Sequence, residues 1–267
     1  MAKVVMDVSL DPTLGCGQAH RWRKQEDGSW QGVIGNDVVT LMKTPDGFEC
    51  SGASDMSKVR EYFREQDDLK TIVEEISRAD ADVAALAAAC PGLRILKQPE
   101  WECLATYVLA TNVNVKRIAK MVESVCDLFG TDLGARRAFP TPRQILDGCD
   151  RICECRLGFR EGRFIRLAEY AEDGRIDIGS MKEMPYPELH EELCSIYGVG
   201  PKVADCVAIF GFGHLEAFPV DVRIQKEVER RYGVTGSYKS VSAFGREKFG
   251  RYAGYAQEFL YHSEFIE

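Results

Sequence analysis

The chain has 267 residues, of which 45% are hydrophobic, and it carries a net charge of −8. This length suits one large domain or two smaller ones, and the composition is that of a globular protein. An acidic protein does not bind nucleic acid through its overall charge, so any such binding must come from a local surface. The N-terminus lacks the apolar run of a secretory signal, and the alanine-rich run at 83–90 is too short to span a membrane. We therefore expect a soluble, intracellular protein.

Short strands are expected in the first 51 residues, because turn-forming residues interrupt β-prone segments there. The predicted strands cover 4–8, 18–23, 29–34, 38–42 and 48–51. From about residue 56 onward, the apolar residues recur at helical spacing. Helices are expected to begin at Pro99 and Thr141 and to cover 162–172, 187–197, 201–212, 221–232 and 242–262. The predicted fold is therefore α+β, with a small antiparallel sheet domain with short helices at 1–92 and a helical body at 93–267.

Arginine is concentrated between residues 136 and 166, where few carboxylates oppose it. The arginines of this stretch are Arg136, Arg137, Arg143, Arg151, Arg156, Arg160, Arg163 and Arg166. A basic stripe on an acidic protein is typical of a surface that contacts DNA. A solvated arginine-rich surface with no such role is the alternative interpretation.

The ten cysteines do not follow a ligand pattern, since no two of them have the C-x-x-C spacing of a metal site. Cys149, Cys153 and Cys155 form a cluster in the sequence, but its spacing is not that of a zinc site. Disulfides are not expected in an intracellular chain of this size. We therefore expect buried free thiols.

The strongest signal in the sequence is a pair of short predicted helices joined by a glycine turn. The first helix ends near Ile196, the turn contains Gly198, Val199 and Gly200, and Pro201 begins the second helix. Glycine permits the positive φ angles that such a tight turn needs. The pattern is that of a helix-hairpin-helix, in which backbone N–H groups, here around Val199 and Gly200, hold a DNA phosphate without reading sequence. A plain turn between two helices is the alternative.

An aspartate follows this hairpin after about twenty residues. The segment FPVD ends at Asp221, which can cap the helix predicted beyond it. A hairpin followed by this aspartate resembles the helix-hairpin-helix Gly/Pro-Asp superfamily of DNA glycosylases. In that superfamily, a lysine two residues after the second hairpin glycine marks the members that also cut the DNA strand. Lys202 stands at this position.

The resemblance implies a chemical role for both residues. Lys202 would attack C1′ of the damaged nucleotide, displace the base and form a Schiff base, and β-elimination would then cut the strand. Because a lysine amine is protonated near neutral pH, this chemistry requires partial burial or a positive helix end to favour the neutral amine. Asp221 would orient the lysine and stabilise positive charge that develops on the sugar. An exposed surface lysine is the alternative.

Further positions resemble the 8-oxoguanine DNA glycosylase family. The sequence GCGQAHRW around Gly17 resembles the family's N-terminal element, whose glycine carbonyl accepts a hydrogen bond from N7–H. 8-Oxoguanine has this hydrogen and guanine lacks it, so one acceptor can discriminate between the two bases. The last predicted helix resembles the family's C-terminal helix and assigns base contacts to Gln257 and Tyr261, which lie one turn apart. Cys206 matches a cysteine that packs against the base.

The resemblance also assigns contacts to the DNA around the extruded base. The sequence ATNVN resembles the family's asparagine loop and places Asn112 in the gap that the base leaves. Arg117, Phe159 and Arg160 would contact the unpaired cytosine and wedge the duplex, and Arg223 would bind a phosphate. The departures from the family pattern are His20 in place of an aromatic residue, Val113 in place of an asparagine and Arg223 in place of a histidine.

The sequence therefore predicts a DNA glycosylase with AP lyase activity that removes 8-oxoguanine opposite cytosine in duplex DNA and acts as a monomer. No Fe–S cluster is expected because no cysteine follows Cys206, and no organic or redox cofactor is expected. The resemblance implies a structural metal ion held by the carbonyl groups of Cys194, Ile196 and Val199. We expect the protein in the cytoplasm and nucleoid of a prokaryote or in the nucleus of a eukaryote. A glycosylase for another damaged base, such as an alkylated purine, and a non-catalytic DNA-binding module are the alternatives.

Overall fold

A five-stranded antiparallel sheet forms the N-terminal part of the chain, in the strand order β1-β5-β4-β3-β2. The computed structural model describes residues 2–266, and it describes their side chains up to residue 263. The strands are β1 (Ala2–Val5), β2 (Arg23–Lys24), β3 (Trp30–Ile34), β4 (Asp37–Thr44) and β5 (Gly47–Ser51). One face of the sheet is apolar and buried, and Phe48 on this face packs against Phe63 with ring centroids 4.9 Å apart.

Helices make up most of the remaining chain. They are α1 (Leu10–Gly15), α2 (Met56–Tyr62), α3 (Leu69–Ala79), α4 (Ala81–Ala89), α5 (Glu100–Leu109), α6 (Val115–Phe129), α7 (Pro142–Asp147), α8 (Glu161–Glu172), α9 (Ile178–Met181), α10 (Tyr186–Ser195), α11 (Pro201–Val207), α12 (Val222–Tyr232), α13 (Tyr238–Phe249) and α14 (Ala253–Ile266). Within the described residues, no helix has both the length and the apolar character needed to cross a bilayer. The sheet and the helical body confirm the predicted α+β class.

Local sequence explains where several helices begin. Thr141 and Gln144 form a reciprocal capping box at α7, and Asn114 caps α6 by accepting from the N–H of Arg117 at 2.9 Å. A proline occupies the first turn of α7, α10 and α11, where its missing N–H costs nothing. The starts predicted at Pro99 and Thr141 are confirmed, since each is the residue that precedes its helix.

The buried apolar residues form two clusters. The smaller cluster lies between the sheet, α1 and α2, and the larger cluster joins the helices from α3 to α14. Helices α3 and α4, which the sequence analysis placed in the N-terminal domain, contribute their apolar residues to the larger cluster. The domain boundary at residue 92 stays a prediction.

Three predicted elements differ from the structure. The segment 18–22 is not a strand, because side-chain hydrogen bonds of Gln18 take the place of a strand ladder. The helix predicted at 242–262 is interrupted at Gly250, which has a φ of +59° and ends α13. The helix predicted at 201–212 is an α-helix to Val207, followed by a π-helical turn at Ala208–Phe212. Helix α1 was not predicted.

Candidate active site

A cavity of about 310 Å³ lies between the segment after α1, the α5–α6 region, the N-terminal ends of α11 and α12, and α14. Its lining residues are Cys16, Gly17, Gln18, His20, Tyr107, Ala110, Val113, Asn114, Val115, Ile118, Lys202, Cys206, Phe210, Pro219, Asp221, Arg223, Gln257, Glu258 and Tyr261. The fold thus brings together all the residues predicted to act on the sugar or on the base, although they are spread along almost the whole chain.

Lys202 stands in the first turn of α11, directly after the glycine turn and Pro201. Its side chain is half-buried, and its Nζ lies 5.4 Å from the centre of the Tyr107 ring. Tyr107 in turn stacks on Phe210, with centroids 5.8 Å apart and planes within 10°. A cation over an aromatic face is attracted by the ring quadrupole, so this stacked pair fixes the position of the amine at the cavity wall.

Asp221 is the N-cap residue of α12, as predicted. Its carboxylate accepts a hydrogen bond from the N–H of Ile224 at 2.8 Å. Pro219 and Val220, which precede it, are buried and anchor the chain at this point. Because a carboxylate has more acceptor sites than this one bond uses, Asp221 keeps the capacity to interact with a group in the cavity.

The segment that carries Gly17 is held in place by its neighbour Gln18. The Gln18 amide donates to the carbonyls of Thr13 and Arg94 at 2.8 and 2.9 Å, and its oxygen accepts from the N–H of Leu96 at 2.8 Å. Gly17 has a φ of +95°, and a Cβ at this position would lie 3.1 Å from the Val115 side chain. Both the positive φ and the tight contact with Val115 therefore favour glycine here.

Two residues of α14 reach the cavity from the opposite side. Gln257 is 5% exposed, and its Oε1 has no hydrogen-bond partner among the described residues. Tyr261 carries the Arg223 guanidinium over its ring at 4.4 Å, and burial raises the pKa of Tyr261 to about 12. A buried amide without a partner is costly, so a bound group that pairs with Gln257 is favoured.

Cys206 follows Lys202 by one helical turn and is buried. Burial raises the pKa of its thiol to about 11, although the nearby Lys202 favours the thiolate. The side chain is therefore a neutral thiol near neutral pH and forms an apolar part of the wall.

Comparisons with known sequences and solved structures identify proteins that this chain resembles. A family model described as the N-terminal domain of 8-oxoguanine DNA glycosylase matches residues 2–104. A relative named N-glycosylase/DNA lyase OGG1 from Arabidopsis thaliana is 28% identical over 287 residues, which cover 97% of this chain and 78% of the relative. The structure of a glycosylase/lyase for 8-oxoguanine from Clostridium acetobutylicum, bound to duplex DNA with cytosine opposite 8-oxoguanine, superposes with a TM-score of 0.91 at 28% identity and covers 97% of each chain.

A further solved structure decides the family. The structure of MBOgg1 in complex with a low-affinity DNA ligand is 30% identical, has a TM-score of 0.91, and covers 96% of this chain and 91% of that one. This chain belongs to the 8-oxoguanine DNA glycosylase family. The resemblance inferred from the hairpin, the aspartate and the Gly17 segment is thereby confirmed at the level of the family.

In this member of the family, the cavity contains an ionisable group that the sequence analysis missed. Glu258 on α14 lines the cavity and is 3% exposed. Burial, with a smaller contribution from the charge of Asp221, raises the pKa of its carboxyl to about 7. A glutamate in an amphipathic helix is normally solvated, so no sequence signal indicated this position.

Of the residues predicted to contact DNA beyond the base, Arg223 lines the cavity, where its phosphate contact stays a prediction, and Asn112, Arg117 and Phe159 lie outside it. Asn112 is exposed at the tip of the α5–α6 loop with a φ of +54°, which asparagine tolerates better than most residues. Arg117 is exposed and donates to the carbonyl of Arg156 at 2.8 Å. Phe159 is 58% exposed. An exposed phenylalanine beside arginines suits insertion into a duplex, and the DNA contacts of these residues stay predictions.

Arg160 lies differently from its neighbours, because it is buried. Its guanidinium donates to the carbonyl of Thr111 at 3.0 Å and to that of Asn112 at 3.3 Å. It also lies 4.2 Å from the centre of the Phe159 ring. The described contacts of Arg160 therefore hold the asparagine loop, and a direct contact with DNA stays a prediction.

The arginines predicted to form a basic stripe have different environments in the structure, because some of them pair with carboxylates and others do not. Arg136 is buried and pairs with Glu123, while Arg143 and Arg151 pair with carboxylates on their own segments. Among the described residues, the arginines of the stretch without a carboxylate within 4 Å are Arg156, Arg160, Arg163 and Arg166. Of these, Arg163 stacks on Phe159 and Arg166 on the exposed Tyr197 of the hairpin. The basic surface is therefore smaller than predicted and lies beside the hairpin.

The hairpin has the tight geometry that the sequence predicts. Gly198 has a φ of +91°, Gly200 is exposed, and Val199 is buried and donates its N–H to the Ile196 carbonyl at 3.0 Å. Since a carbonyl oxygen has two lone pairs, this bond leaves Ile196 able to bind an ion together with Cys194. The structural ion remains a prediction.

The cysteines are all free thiols in the structure. Cys155 is buried, Cys149 is partly exposed and Cys153 is exposed, so burial holds for only part of this cluster. Among the side chains described, no three His, Cys, Asp or Glu residues are placed to hold a metal ion.

Proposed function

We propose that this protein is a DNA glycosylase with AP lyase activity that removes 8-oxoguanine from duplex DNA. The observation that carries the proposal is the meeting of Lys202 and Asp221 with Gly17 and Gln257 in one cavity. The first two residues have the chemistry to act on the sugar, and the other two have the groups to recognise the base. The cavity volume of about 310 Å³ lies at the lower end of small-molecule sites, which suits a single extruded base.

Lys202 acts as the nucleophile in this proposal. The Nζ lone pair forms a bond to C1′ while the N-glycosidic bond breaks, and the base leaves with the electron pair and takes up a proton. The C1′–O4′ bond then breaks, O4′ takes up the proton that Nζ loses, and a Schiff base forms between Nζ and C1′. Loss of a proton from C2′ and expulsion of the 3′ phosphate complete the β-elimination. The Asp221 carboxylate stabilises the positive charge that develops on the sugar as the base leaves.

Recognition of the base divides between the two sides of the cavity. The carbonyl of Gly17 accepts the N7–H of 8-oxoguanine, and the rigid Gln18 network prevents this carbonyl from turning away. The unpartnered Oε1 of Gln257 accepts from the Watson–Crick edge of the base. Guanine lacks N7–H and would leave a buried acceptor unpaired, so it is rejected.

The exposed backbone and arginine groups at the hairpin are suited to binding duplex DNA. Because the Val199 N–H is bonded to the Ile196 carbonyl, the Gly200 N–H is the hairpin group that holds a phosphate, and Arg163 and Arg166 contribute positive charge nearby. In this proposal, Asn112 fills the gap left by the extruded base and Arg117 contacts the unpaired cytosine. The protein acts as a monomer in this proposal, in the nucleoid of a prokaryote or the nucleus of a eukaryote.

The test is an excision assay with a duplex that carries 8-oxoguanine opposite cytosine. We expect release of the free 8-oxoguanine base and cleavage of the lesion strand, with no release of guanine from the matched undamaged duplex. A third duplex carrying an alkylated purine serves as the specificity control. Release of the alkylated purine alone, or DNA binding without release of any base, would contradict the proposal.

A further inference from the structure

His20 lies in the wall of the cavity without a partner. It is 8% exposed, and neither Nδ1 nor Nε2 has a hydrogen-bond partner among the described residues. Its ring meets the Tyr107 ring edge-on, with centroids 6.2 Å apart. Lys202 lies over the same Tyr107 ring, so the imidazole stands near the amine end of the cavity.

Burial of an imidazole whose two nitrogens have no hydrogen-bond partner destabilises the folded protein. Most buried polar side chains in folded proteins find a hydrogen-bond partner, and one left unpaired destabilises the protein. A phenylalanine would fill the same space and contact Tyr107 equally well, without this penalty. Both nitrogens are also shielded from solvent, so a group that enters the cavity pairs with one of them when the ring turns towards it.

The environment fixes the charge of this imidazole. Burial, and to a smaller extent the charge of Lys202, lowers the pKa of His20 to about 4. The ring is therefore neutral near neutral pH, with one N–H donor and one acceptor nitrogen. The neutral ring does not add a second positive charge beside Lys202. It can form a hydrogen bond, but not an ion pair, with a group that enters the cavity.

We propose that His20 is a specificity-determining residue whose imidazole N–H donates a hydrogen bond to a carbonyl oxygen of the extruded purine. This inference rests on the proposed function, since it needs a base in the cavity. A purine that carries carbonyl groups on both rings offers such an acceptor on either side. The contact supplements those of Gly17 and Gln257, and an aromatic hydrocarbon side chain at this position does not provide it.

The test compares His20→Phe and His20→Gln on two duplexes under single-turnover conditions. One duplex carries 8-oxoguanine opposite cytosine, and the other carries an abasic site, which has no base to contact. For His20→Phe, we expect the loss of rate on the lesion duplex to exceed the loss on the abasic duplex by about tenfold, as for one buried hydrogen bond. His20→Gln keeps a donor and should recover part of that difference.

His214→Phe is the control variant, because His214 is only partly buried and pairs with Glu216 away from the cavity. It should show the same ratio between the two substrates as the wild type. Equal losses on both duplexes for His20→Phe, or no loss on either, would overturn the role of His20. If the wild type cleaves the abasic duplex but releases no 8-oxoguanine, the proposed function fails and this inference fails with it.

Discussion

At the scale of single residues, Gly17 is the position where both the backbone angle and the shape of the cavity favour glycine. Its φ is +95°, and Val115 lies 3.1 Å from where a Cβ would stand. We predict that Gly17→Ala lowers the rate of 8-oxoguanine excision at least about tenfold, because the positive φ costs of order 1 kcal/mol and the contact with Val115 displaces the carbonyl. Single-turnover excision kinetics measure the effect.

Gly28→Ala is the matched control for this prediction. Gly28 has a φ of +84° in the turn between β2 and β3, and nothing lies within 4 Å of its added Cβ. It imposes a similar backbone strain far from the cavity. Equal excision rates for the two variants would show that Gly17 has no special role in the cavity.

Glu258 makes stability depend on pH in a direction opposite to that of a salt-bridged carboxylate. Folding raises its pKa from about 4.5 to about 7, so the folded state disfavours the carboxylate. Stability is therefore fully present below pH 4.5 and decreases as pH rises towards 7, by up to about 3 kcal/mol. We predict that Glu258→Gln removes this decrease, so that its Tm relative to the wild type increases from pH 5 to pH 8.

Thermal unfolding at a series of pH values measures this difference. Glu247→Gln, which changes an exposed glutamate on α13, is the control and should give a difference from the wild type that is nearly constant with pH. A Tm difference for Glu258→Gln that does not change between pH 5 and pH 8 would contradict the prediction.

The residues of the cavity differ in how far the sequence predicts them. Lys202, Asp221 and Gly17 stand in short motifs whose neighbours dictate the local backbone, so their convergence on one cavity was predictable. Glu258 and the neutral state of His20 depend on burial by segments distant in the sequence. Burial of a charged side chain is a result of tertiary packing, and no local pattern encodes it.

At the scale of elements, predictions succeeded where a local signal sets the boundary. The capping box at Thr141 and the cap at Asp221 place the starts of α7 and α12 correctly. The strand predicted at 18–23 was wrong in most of its length. β-Prone composition does not reveal that the Gln18 side chain bonds to backbone groups of Thr13 and Leu96. The break at Gly250 was missed because apolar spacing continues on both sides of it.

The α5–α6 loop depends on a residue from another element. The Arg160 guanidinium donates to the carbonyls of Thr111 and Asn112. We predict that Arg160→Ala lowers the free energy of unfolding by about 1–3 kcal/mol, because the partly buried hydrogen bonds to these carbonyls are lost. Amide exchange in the loop should also become faster. Urea denaturation and hydrogen–deuterium exchange measure the two effects.

Arg151→Ala is the comparison variant for this loop. Arg151 is exposed and pairs with Glu154 at 2.8 Å on its own segment, so its loss should change the free energy of unfolding very little. If Arg160→Ala behaves like Arg151→Ala and loop exchange is unchanged, Arg160 does not hold the loop.

At the scale of the whole molecule, an acidic chain must concentrate its positive charge to bind DNA. Arg163 and Arg166 have no carboxylate partner among the described residues and lie beside the hairpin, where Arg166 stacks on Tyr197. We predict that Arg166→Gln weakens binding to undamaged and lesion duplexes alike and reduces the slope of log affinity against log salt by about one. Fluorescence anisotropy at several salt concentrations measures the slope.

Arg143→Gln provides the control for the salt dependence. Arg143 pairs with Asp147 on α7, so its replacement should leave the slope close to that of the wild type. An unchanged slope for Arg166→Gln would show that this arginine does not neutralise a phosphate.

Borohydride trapping shows whether Lys202 forms a covalent bond to the sugar. Borohydride reduces a Schiff base to a stable amine, so the wild type incubated with the lesion duplex should give a covalent protein–DNA adduct. Lys202→Gln should give none, while Lys226→Gln, which changes an exposed lysine on α12, should be trapped like the wild type. An adduct of undiminished yield with Lys202→Gln would rule out Lys202 as the nucleophile.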